Sequence, residues 1–135
     1  MTQIDHLGIA VRSLAEAKKF YETLGLEIMP EETVEGEKVR VAMVPMGESR
    51  IELLEPTSPD STIAKFLDKR GPGLHHVALQ VTNLVERVEA LKAAGTRLIN
   101  EEVKIGAGGH MYVFVHPSST GGVLLELVEE APIGV

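Results

Sequence analysis

One stretch of this chain is written twice. Ile4-Asp5-His6-Leu7-Gly8-Ile9-Ala10-Val11 has a counterpart in Leu74-His75-His76-Val77-Ala78-Leu79-Gln80-Val81, and the segments after each copy are also alike. Internal repetition is the first property to establish, because a repeated supersecondary unit dictates the architecture that can bury its apolar faces. Both segments read as short strands that open near a histidine. Each leads into a helix-start signal, Ser13 with Glu16 in the first copy and Asn83 with Glu86 in the second. Leu14, Ala17, Phe20 and Tyr21 then fall at helical spacing and the copy stops at Leu24-Gly25. Leu84, Val88 and Leu91 repeat the spacing and stop at Ala94-Gly95, where glycine suits the residue just past a helix.

Strand-like segments complete each copy. The first has 39–44 and 50–55, the second 111–115 and 123–128, with Gly47-Glu48-Ser49 and Ser119-Thr120-Gly121-Gly122 supplying turn chemistry between them. Weaker strand signals lie at 27–29 and 97–99. Each module therefore reads as βαβββ, the first over 1–56 and the second over 73–130. The linker, 57–72, carries a short amphipathic helix at about 61–68 with Ile63, Phe66 and Leu67. Neither module can cover both faces of its sheet, so the two are expected to pack as one α+β domain over 1–135. This doubled pattern resembles the vicinal oxygen chelate superfamily, a resemblance that implies paired modules forming a cupped mixed sheet around a metal.

Composition narrows the chemistry. The chain has no cysteine, which excludes disulfides and thiolate metal sites, so a metal here needs nitrogen and oxygen donors from among five histidines and twenty acidic residues. A net charge of −7 argues against nucleic acid or an anionic membrane as partner. No apolar run approaches the roughly 18 residues of a membrane span, and no secretory signal is visible, so a cytoplasmic location is expected.

Four polar residues stand out against this background. Glu52 interrupts Ile51-x-Leu53-Leu54, and Glu126 interrupts Leu124-Leu125-x-Leu127-Val128. A buried carboxylate is costly without a partner. Taken singly, such a glutamate reads as a solvent-facing residue and a strand histidine as structural. Jointly they do not. His6 and His76 occupy equivalent places in the first strands (76 − 6 = 70), and Glu52 and Glu126 occupy equivalent places in the last strands (126 − 52 = 74). A pseudo-twofold arrangement of the modules would gather two imidazoles and two carboxylates, a donor set suited to a borderline divalent ion such as cobalt, manganese, nickel, iron or zinc.

Within the superfamily, five strings in order are similar to the methylmalonyl-CoA epimerases: Ile4-Asp5-His6, Ile51-Glu52-Leu53-Leu54-Glu55-Pro56, Gly73-Leu74-His75-His76, Glu101-Glu102-Val103-Lys104-Ile105-Gly106, and Gly121-Gly122-Val123-Leu124-Leu125-Glu126-Leu127. That resemblance implies an isomerase that epimerises methylmalonyl-CoA by abstracting and returning its C2 proton. It places metal ligands at His6, Glu52, His76 and Glu126, favours cobalt over manganese, nickel or zinc as the single ion, and makes Glu126 both ligand and base. Ungapped alignment puts Arg40 where some members carry a second glutamate base. A guanidinium stays protonated and cannot serve as that base, which leaves Arg40 as a candidate anchor for the substrate carboxylate or as a surface residue. Lys104, Ile105, Gly106 and Ala107 are candidates to close over the acyl-CoA thioester, or simply a connecting loop. The expected assembly is a homodimer. The competing readings are a glyoxalase-type isomerase, a dioxygenase, for which two histidines and one carboxylate suffice, and a non-enzymatic small-molecule-binding module without metal affinity.

Overall fold

The computed structural model describes residues 2–106 and 109–130. The chain divides into two compact units, one of His6–His75 and the other of the stretch from His76 onward with the residues up to Asp5. The first module contains β1 (Gln3–Ala10), α1 (Leu14–Thr23), β2 (Glu32–Val34), β3 (Val39–Met46) and β4 (Ser49–Pro56), followed by α2 (Thr62–Arg70). The second contains β5 (Gly73–Gln80), α3 (Leu84–Ala93), β6 (Lys104–Ile105), β7 (Met111–Val115) and β8 (Leu125–Glu129). The βαβββ pattern is thus present twice, in an α+β fold as expected.

Each unit orders its strands the same way. In the first the order is β2-β3-β4-β1, and in the second β6-β7-β8-β5. The opening strand runs parallel to the closing one, β1 with β4 and β5 with β8, while the remaining pairs are antiparallel. A parallel neighbour needs a crossover, and α1 and α3 provide it.

Side-chain alternation then sorts the first unit into two faces. Leu14 of α1 buries with Ala42, Val44 and Leu53, joined by Ile9, Val11, Ala17 and Tyr21. On the other face Ile63 and Leu67 of α2 bury with Ala10, Val39, Val41 and Leu54. In the second unit Leu84 and Val88 of α3 bury with Val113, Val115 and Leu127. Phe20, which shares the helical spacing of the inward residues, is instead 65% exposed and meets the Tyr21 ring edge-on. The inward stripe of α1 is Leu14, Ala17 and Tyr21.

Helix capping departs from expectation in one copy. Ser13 accepts from the Glu16 N–H as its sequence context suggests. Asn83 adopts a left-handed backbone, φ 55°, and makes no side-chain cap. The carboxylate of Glu129, at the end of β8, takes the orphan N–H groups of Asn83 and Leu84 at 2.9 and 3.0 Å. Its repeat equivalent, Glu55 at the end of β4, accepts from the Leu14 N–H at 2.8 Å. A carboxylate at a helix N-terminus satisfies free donors and complements the dipole, so both modules tie their crossover helix to their closing strand by the same device.

The minor strands also fall elsewhere than expected. Residues 27–29 are not a strand; β2 lies at Glu32–Val34. Residues 97–99 contribute only an isolated bridge, Leu98 to Val115, and the outer strand of the second unit is Lys104–Ile105. β8 begins at Leu125 rather than at 123.

Candidate active site

In the first unit His6 and Glu52 occupy the face that α2 covers further along. Register sets His6 opposite Arg50, Gly8 opposite Glu52 and Ala10 opposite Leu54. The position facing Glu52 carries no side chain, so the imidazole two residues before it can reach the carboxylate diagonally. His6 Nδ1 lies 3.5 Å from Glu52 Oε2, with the two side chains 7% and 13% exposed. Arg50, on the same face, donates to that oxygen from Nε at 2.9 Å and brings Nη2 to the same distance.

The second unit repeats the arrangement. Ala78, again small, faces Glu126 in the register, and His76 two residues earlier reaches across to it. His76 Nε2 lies 3.4 Å from Glu126 Oε1, both side chains nearly buried. Phe114 stands opposite Glu126 on β7 and meets the His76 ring edge-on, with centroids 5.7 Å apart. Tyr112 continues the aromatic row along β7, 6.1 Å from Phe114.

Both pairs approach without closing to the 2.7–3.2 Å of a good N–H···O hydrogen bond. Each unit thus holds one imidazole and one carboxylate, buried together, at matching places in the repeat. Neutral imidazole nitrogen and carboxylate oxygen are donors that fit a borderline divalent ion, and burial strengthens their attraction for one.

Arg40 is not brought to the His6–Glu52 pair. It stands opposite Glu55 on β3, whereas Glu52 stands opposite Met43, so the pleat sends Arg40 to the α1 face. There its Nη1 lies 3.5 Å from Glu55 Oε2, the carboxylate that caps α1. On this placement Arg40→Ala is expected to leave the KM within about twofold of the parent, because the guanidinium is spent on Glu55, an exposed pair worth under about 1 kcal/mol to the fold. Steady-state kinetics check this, and a KM raised tenfold or more would return Arg40 to the substrate.

The remaining candidates lie on and just after β6. Lys104 and Ile105 are exposed on β6, Ile105 to 74%. Gly106 donates its N–H to the His110 carbonyl at 2.8 Å, and a Cβ there would fall 2.6 Å from the His110 ring, so glycine is what lets that ring pack. Ala107 lies outside the described residues. The other histidines take local roles: His75 meets the Phe66 ring edge-on, and His116 Nδ1 accepts from the Ser118 N–H at 3.0 Å. Arg50 is the site neighbour that sequence reasoning missed. Its signal was its place two residues before Glu52 on the same strand, which alternation puts on the same face.

Comparison with known proteins adds the chemical setting. Residues 5–114 match the Glyoxalase/Bleomycin resistance protein/Dioxygenase superfamily. Mitochondrial methylmalonyl-CoA epimerase of Bos taurus is 41% identical over 127 residues, covering 93% of this chain and 73% of that one. The crystal structure of methylmalonyl-CoA epimerase from Mycobacterium tuberculosis is 40% identical with a TM-score of 0.85, covering 96% of this chain and 88% of that one. A methylmalonyl-CoA epimerase solved with methylmalonyl-CoA and NH4+ is 36% identical with a TM-score of 0.88, covering 98% and 97%.

Proposed function

Because this chain belongs to the Glyoxalase/Bleomycin resistance protein/Dioxygenase superfamily, we propose that it interconverts the (R) and (S) forms of methylmalonyl-CoA. The observation that carries this reading is the duplicated buried pair, His6 with Glu52 and His76 with Glu126. Relatives alike over nearly the whole chain bear the name of that activity.

We propose that His6, Glu52, His76 and Glu126 are the donors of one divalent metal ion. Cobalt is the proposed ion, with manganese, nickel or zinc as substitutes. A bound ion would supply Lewis-acid stabilisation of negative charge on carbonyl oxygens, several kcal/mol in typical sites.

Glu126 is the proposed base. It takes the C2 proton, and the electron pair of the broken C–H bond spreads onto the flanking thioester and carboxylate carbonyls. Carbon 2 becomes planar, and a proton returned to its opposite face inverts the centre. His76 is buried against Glu126, and the proton that Glu126 takes exchanges with solvent before one is returned. The acid on the opposite face is a group other than Arg40, a permanent cation on the far side of β3.

Among the described residues no helix is long and apolar enough to cross a membrane. We place the protein in the cytoplasm as a homodimer, with the acyl-CoA as its small-molecule partner. The test of the function tracks C2 of methylmalonyl-CoA in deuterated water, by mass and by chirality.

A further inference from the structure

We infer that Arg50 is a positioning residue that holds Glu52 as a charge-compensated donor, so that the proposed ion binds less tightly than the bare carboxylate would bind it. The inference rests on the metal reading of His6 and Glu52. One guanidinium places both Nε and Nη2 at 2.9 Å from Glu52 Oε2, while His6 Nδ1 stands 3.5 Å from the same oxygen. A charge-assisted hydrogen bond, with a second guanidinium nitrogen beside the same oxygen, anchors that oxygen and offsets its charge. With Oε2 so engaged, Glu52 meets a cation with its negative charge already shared.

The arrangement belongs to one copy of the repeat. Arg50 faces His6 across the β1–β4 register and precedes Glu52 by two residues. The residue two before Glu126 is Leu124. The two His–Glu pairs therefore share geometry but differ in the side chain at this point. A guanidinium on a donor carboxylate also repels a dication, and that repulsion is strong at a side chain only 13% exposed.

The test measures metal affinity of the whole, metal-stripped protein, by competition for Co²⁺ with a chromophoric chelator. Arg50→Gln and Arg50→Met remove the charge; Arg50→Lys keeps it without the fork. Melting curves establish which variants fold as the parent does, so the sign can be read from either neutral one. The neutral variants are expected to bind Co²⁺ tighter by on the order of tenfold, the effect of a unit charge near a dication in a partly screened site. Arg50→Lys is expected within about threefold of the parent. Neutral variants that bind no tighter than a parent with measurable affinity overturn the inference alone. A parent that binds no ion overturns the metal reading, and the inference with it.

Discussion

Glu126→Gln is expected to retain substantial metal and to lose both epimerisation and C2 proton exchange. The amide keeps the volume of the side chain and one ligand oxygen, but at neutral pH it cannot take a proton. Glu126 is 7% exposed, between Leu125 and Leu127 on β8 and opposite Phe114, so the space around it is packed and a near-isosteric change disturbs little. A positioned acid–base group is worth about 10²- to 10⁴-fold in rate, and starting from the epimer whose C2 proton faces Glu126, exchange and epimerisation should fall together by that amount because both begin with the same C–H cleavage. Metal content by elemental analysis, read beside the rate of deuterium uptake, separates ligand from base. Exchange at near-parental rate in a metal-loaded Glu126→Gln would leave Glu126 a ligand only.

The second large effect is on metal affinity. His6→Ala and His76→Ala each remove one imidazole from a buried pair and leave its carboxylate behind, Glu52 in one case and Glu126 in the other. Loss of an outer-shell group that orients a ligand and raises its basicity, the reverse of the charge-withdrawing Arg50, typically costs 10- to 100-fold in affinity, so loss of a ligand itself should cost about 100-fold or more. The repeat makes the prediction specific, since both variants should lose affinity although the histidines belong to different modules. Titration of the stripped protein with Co²⁺ reads this directly. Parental affinity in both variants would remove the site.

The major strands were legible because they are apolar runs buried on both faces of the sheet. Val39, Val41, Ala42 and Val44 on β3 and Leu53 and Leu54 on β4 carry both apolar faces of a central segment, and burial rewards that pattern wherever it occurs. β2 and β6 escaped because they are short outer strands: Glu32 and Thr33 are exposed, as are Lys104 and Ile105, so no apolar periodicity marks them. The cap of α3 was invisible for a different reason. Glu129 reaches it from 46 residues away, and a long-range partner overrode the local Asn83–Glu86 signal.

The His and Glu residues were found by asking where a polar group interrupts an apolar strand twice at equivalent positions. Arg40 shows the limit of that approach. Alternation places it on the face opposite Val39 and Val41, but which face carries Glu52 depends on the β3–β4 register, set by the turn at Gly47, φ 62°. Register decides function here, because a slip of one residue exchanges the two faces of a strand.

The central claim is C2 proton transfer with inversion, and one measurement addresses it directly. Metal-loaded protein is incubated with a single epimer of methylmalonyl-CoA in deuterated water, and the acyl group is monitored by mass and by chirality. The account predicts one deuterium incorporated at C2 and a product pool that approaches equal amounts of the two epimers. An acyl group that keeps its proton and its configuration, from protein shown to hold its ion, would contradict it.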